Sequence, residues 1–137
     1  MKLMRTLGLA ACAAGLCAGP ATAQDPALAR PNLIKKQVVE GMPKGDKQEI
    51  AVITATFMPG QKTVFHTHRF PVTVYVLAGA FTLELEGLPA VTVKAGEAYI
   101  EPPNVKMTGY NRSATETLQV VIFYVGDPGT PFLDPAH

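Results

Sequence analysis

Phe81-Thr82-Leu83-Glu84-Leu85-Glu86-Gly87 is the stretch on which the fold turns. Phe81, Leu83 and Leu85 alternate with Thr82, Glu84 and Glu86. Side chains on an extended chain point to opposite faces in turn, so this segment has one dry face and one wet face, and Gly87 ends it. Working outward, short runs rich in β-formers recur at residues 33–39, 49–57, 62–68, 72–77, 91–94, 98–101, 105–110 and 117–125. Turn residues stand at almost every break: Gly41, Pro43, Gly45, Pro59-Gly60, Gly79, Pro89, Gly96, Pro102-Pro103 and Asn111. No window carries a sustained helical period. Many short strands with turns between them predict an all-β, closed or double-layered antiparallel fold.

The ends of the chain read differently. Lys2 and Arg5 precede an apolar run over 7–18, and Ala21-Thr22-Ala23 is a small-x-small cleavage site before Gln24. A secretory signal over 1–23 is therefore expected, with a periplasmic or secreted protein as its product. The run is too short to span a bilayer, and no transmembrane anchor is expected. A rival reading takes Leu9-Ala10-Ala11-Cys12 as a lipoprotein box with the lipid on Cys12. The chain's two cysteines, Cys12 and Cys17, both lie in this segment, so the processed protein has no disulfide. Residues 24–32 read as a leader and 33–126 as one barrel domain. The tail over 127–137, with Pro128, Pro131 and Pro135, is not expected to form a regular element, and should pack Phe132 and Leu133 on the barrel exterior or on a second subunit. Without Lys2 and Arg5 the twelve basic residues become ten against eleven acidic ones, a net charge of −1. These charges are scattered and mixed in sign, which argues against a nucleic-acid partner. Residues 72–77 and 118–125 are apolar on both faces; such strands are either central or covered by a partner, and a homodimer is expected.

His66 and His68 carry the functional signal. One residue apart on a predicted strand, they point to the same side, close enough to share one metal ion or one ligand. Two imidazoles alone hold a metal weakly, so a third donor from elsewhere in the fold decides the chemistry.

Around them the sequence resembles the cupin family of small jelly-roll β-barrels. The family's first motif runs glycine, five residues, His-x-His, three or four residues, glutamate, six residues, glycine; Gly60, His66, His68 and Gly79 fall on it. The second runs glycine, five residues, Pro-x-Gly, two residues, histidine, three residues, asparagine; Gly96, Pro102 and Asn111 fall on that. The resemblance covers residues 48–125 and implies a single jelly-roll barrel with its site inside. Three positions depart from it. Val72 stands where the family has its glutamate ligand, Asn104 replaces the glycine of Pro-x-Gly, and Met107 replaces the second-motif histidine. Asparagine tolerates the left-handed turn conformation that the glycine serves.

Three readings of the interior stay open. In one, a metal is held weakly or by softer ligands: His66, His68 and the Met107 thioether suit copper, and another divalent ion would need Glu97 or Glu101 turned inward to restore a carboxylate. In the second, the barrel binds a small organic molecule, with His66 and His68 as hydrogen-bonding groups, Tyr75, Tyr99 and Tyr110 as phenol donors, and Val72, Val74 and Met107 as apolar wall. In the third, the interior is filled core, at the expense of desolvating two imidazoles. An enzyme of the dioxygenase or isomerase type would work through the same site with a third ligand outside the family pattern, because the chain has no nucleophile motif and no phosphate loop.

Overall fold

A computed structural model describes residues 28–137. The predicted signal, its cleavage site and Cys12 lie outside the described residues. Among the described residues there is no α-helix, and so none long and apolar enough to cross a membrane. The strands are β1 (Glu49–Phe57), β2 (His66–Thr67), β3 (Val72–Ala78), β4 (Ala80–Leu85), β5 (Val91–Lys94), β6 (Ala98–Glu101), β7 (Met107–Tyr110), β8 (Leu118–Gly126) and β9 (Asp134–Pro135). They form two antiparallel sheets, one in the order β1-β8-β3-β6 and one in the order β5-β4-β7-β2-β9. This is the double-stranded β-helix arrangement of a jelly-roll barrel.

Alternation fills the space between the sheets. Val72, Val74 and Val76 from β3, Phe81, Leu83 and Leu85 from β4, and Leu118, Val120 and Tyr124 from β8 are all buried in one core. Their alternates, such as Thr82 and Glu84, face outward. β3 and β8 are the two central strands of their sheet; their inner faces are core, and their outer faces leave Leu77 and Phe123 about half exposed.

Turn chemistry sets the connections. Asn104 adopts φ 60°, the left-handed conformation for which it stands in place of glycine, and its N–H donates to the His68 carbonyl at 2.7 Å. At Gly79 (φ 77°) a Cβ would lie 2.9 Å from the Thr117 carbonyl oxygen, so the β3–β4 turn has room for glycine alone. Asn111 is buried and acts as a brace, donating through Nδ2 to the carbonyls of Phe57 and Glu116.

Two expectations are corrected. Residues 33–39 have strand-like composition but no ladder partner among the described residues; they are exposed irregular chain, with Val38 95% accessible. The proline-bearing tail does form a regular element: Asp134–Pro135 pairs with His66–Thr67 as β9. Pro135 sits at the end of this edge strand, where its missing N–H does no harm.

Candidate functional site

β2 enters the barrel between β7 and β9, and alternation turns both His66 and His68 inward, 4% and 1% exposed. The third side chain arrives from the other sheet. Glu101 ends β6, is 4% exposed, and lies directly across the ladder from Val72. The carboxylate absent from position 72 therefore stands one strand over. Glu97 does not join it, being exposed and bonded to the Lys94 N–H.

The hydrogen bonds fix what these groups can do. His66 Nδ1 lies 2.7 Å from the Val64 carbonyl oxygen, and His68 Nδ1 lies 2.6 Å from that of Phe132. A carbonyl only accepts, so each Nδ1 carries the proton and each Nε2 of a neutral ring carries a bare lone pair. Those two Nε2 atoms face each other at 3.1 Å, and His68 Nε2 lies 3.2 Å from Glu101 Oε2. Three electron-pair donors thus meet with no hydrogen to share among neutral rings. Such a row offers a proton or a metal ion acceptors to share. Burial pushes the His66 imidazole below its ordinary value; His68 beside it adds to this, while the bond to Val64 and the Glu101 carboxylate oppose it.

The three side chains line one small cavity of about 50 Å³, together with Thr63, Leu83 and Phe132 among others. Their spacing can be compared with that of metal ligands. Bonds of about 2.0–2.2 Å at octahedral to tetrahedral angles separate neighbouring donors by roughly 2.8–3.6 Å, and the two observed separations fall in that span. A carbonyl holding the far nitrogen of each imidazole is the usual outer support of a metal-bound histidine. The donors form a row, however. Among the described residues no three His, Cys, Asp or Glu side chains already converge on one point.

The other predicted site residues fall elsewhere. Met107 is fully buried and directly opposite His66 in the β2–β7 ladder, but it does not line the cavity; it belongs to the core row between His66 and Leu85. Val72 is likewise core, packed in register between Glu101 and Tyr124. Tyr75 alternates with buried Val74 and Val76 and so stands on the outer face. Tyr99 lines a surface groove of about 570 Å³ on the far side of Glu101. Phe132 and Leu133, expected on the exterior, instead close the cavity. Sequence reasoning missed them because contact across more than sixty residues leaves no local pattern. Glu101 had a signal, its place at the end of a strand before Pro102, without anything to say which face it took.

Comparison with known proteins agrees with this geometry at the level of fold. No curated protein matches the chain. A protein with a double-stranded β-helix domain from Klebsiella pneumoniae is 22% identical over 74% of this chain and 90% of its own, with a TM-score of 0.55. A cupin-like protein from Thermotoga maritima is 25% identical over 64% of each chain, with a TM-score of 0.52. The DMSP lyase DddQ from Ruegeria pomeroyi is 20% identical over 64% of this chain, with a TM-score of 0.55. The present chain spans only 43% of that lyase. Residues 53–124 match the family described as the cupin domain, which is more than half of the sequence. The two His-bearing and Asn-bearing motifs, the paired antiparallel sheets and this match agree, and the chain belongs to the cupin family.

Proposed function

We propose that the protein is a metal-binding cupin that holds one divalent ion on His66, His68 and Glu101, with Glu101 as the third ligand from outside the family pattern. The observation that supports this reading is the row His66 Nε2, His68 Nε2 and Glu101 Oε2, in which both imidazoles have their outer nitrogens committed to carbonyls. Two imidazoles and one carboxylate suit Fe²⁺ or Zn²⁺ better than Cu⁺, which would want the Met107 sulfur. Such an ion, when bound, supplies Lewis acidity and lowers the pKa of a bound water. The chain's own part is to aim both Nε2 atoms, hold Glu101 dry beside them, and keep bulk water out with the apolar walls of Leu83, Val120 and Phe132. Small-molecule chemistry at the ion is the enzymatic extension of this reading.

Metal analysis of the purified protein tests it. About one Fe or Zn per chain is expected, none in His66→Ala/His68→Ala, and a large loss in Glu101→Gln. Stoichiometric copper that survives Glu101→Gln and is lost in Met107→Leu would sink the proposal in favour of a soft site. We also propose export and a homodimer. The signal pattern over 1–23 supports the first, and the exposed Ile50, Val52 and Phe123 on the outer side of the four-stranded sheet support the second. An N-terminus at Gln24 and sedimentation at twice the chain mass are the expected results.

A further inference from the structure

The last residues of the chain make two kinds of contact. Outside the barrel they are latched. Arg69 donates to both carboxylate oxygens of Asp134 at 2.8 and 3.0 Å, the Ala136 N–H donates to the Phe65 carbonyl, and Lys106 Nζ donates to a His137 oxygen. Inside, one residue does something different. The Phe132 ring lies 4.8 Å from the His68 ring and edge-on to Tyr124 at 5.6 Å, while its carbonyl accepts from His68 Nδ1–H. This is how a small molecule with a flat apolar body and an oxygen acceptor would bind a histidine in a cavity.

The space left over makes the point sharper. A cavity of about 50 Å³ is a third of the roughly 150 Å³ that admits benzene, so no aromatic ligand fits beside the cluster while the tail is docked. At the tail's root one atom is left unsatisfied: among the described residues, Asp127 Oδ1 is buried with no hydrogen-bond partner.

We propose that Phe132 is an internal stand-in for the site's organic ligand. When the tail releases, its place between His68 and Tyr124 is taken by a molecule with a planar or branched apolar body and a carbonyl or carboxylate oxygen that accepts from His68 Nδ1–H. The inference rests on the cluster being the functional site, and not on the cluster holding a metal.

The test uses phenylacetamide as probe and toluene as its carbonyl-free control, titrated calorimetrically into the full chain in EDTA. Arg69→Ala loosens the latch outside the site and is expected to tighten phenylacetamide binding about fivefold, because competition by the tail is weakened. Phe132→Gly removes the competing ring, so that its backbone carbonyl alone still competes for His68 Nδ1–H, and is expected to tighten binding about tenfold. Toluene should bind Phe132→Gly about tenfold more weakly than phenylacetamide does, since one charge-free acceptor bond is missing. Saturating phenylacetamide should speed hydrogen exchange of the Ala136 N–H in the Arg69→Ala protein, as the tail leaves. Equal binding of toluene and phenylacetamide would reduce the site to a plain void and overturn the proposal. So would unchanged Ala136 exchange at saturation, or no binding by a folded Arg69→Ala protein. If Phe132→Gly does not fold, Arg69→Ala alone decides. Because EDTA is present throughout, failure here leaves the metal reading standing, and a chain that takes no metal yet passes refutes only that reading.

Discussion

Glu101 shows what one side chain decides. In the proposed site its carboxylate takes the part of the donor that Val72 lacks, from the strand paired with Val72. Glu101→Gln keeps the shape and removes the charge, and we expect divalent-ion affinity to fall about a hundredfold or more, read by competition with a chromophoric chelator. Moving the carboxylate back with Val72→Glu in the Glu101→Gln background should recover part of that loss; no recovery would mean that position 72 does not reach the ion. His66 makes a second prediction. Its folded pKa lies below the ordinary 6.5 because burial disfavours the cation. The unfolded chain therefore binds this proton more readily, so the contribution of His66 to stability is present above pH 6.5 and lost as pH falls below it. Urea unfolding in EDTA should show a midpoint that drops between pH 6.5 and 5 by more in the wild type than in His66→Phe. A drop of the same size in both would assign it to other groups.

At the scale of elements, most strands were legible because period-two patterning survives in the sequence wherever one face is dry, as in β4. Two elements were not. Residues 33–39 carry strand-forming side chains, but a strand exists only through a partner, and none of the sheet edges among the described residues takes it. β9 failed in the opposite sense: Pro135 counts against a strand locally, yet two residues of pairing to β2 need only the groups that Asp134 and Pro135 still have. The turns between strands were better readable, since glycine and asparagine announce a left-handed backbone directly. Gly79→Ala tests the tightest of them. A Cβ there meets the Thr117 carbonyl at 2.9 Å with φ at 77°, and a loss of about 2–4 kcal/mol is expected by urea unfolding. Asn104→Gly, where the backbone already has the same hand, should stay within about 1 kcal/mol.

For the whole molecule, the site draws on both sheets: His66 and His68 with the five-stranded one, Glu101 on the four-stranded one, and Phe132 on the return of the C-terminal chain. The paired histidines were readable before the fold was known, because two residues on one strand need no tertiary information to share a face. The rest was not, because Glu101 and Phe132 reach the cavity only through sheet order and chain return. A ligand that bridges two sheets also holds them together, and only the folded chain offers it this donor set. An ion present at a hundred times its dissociation constant should stabilise the fold by about 2.7 kcal/mol. For a domain of this size that raises Tm by on the order of 10 °C. The rise should appear in scanning calorimetry with Zn²⁺, vanish with EDTA, and be absent in His68→Ala, whose remaining donors sit on different sheets with no ligand between them. A Zn²⁺ shift of equal size in His68→Ala would mean that the ion binds elsewhere on the protein, and that the two sheets are joined at this point by apolar packing alone.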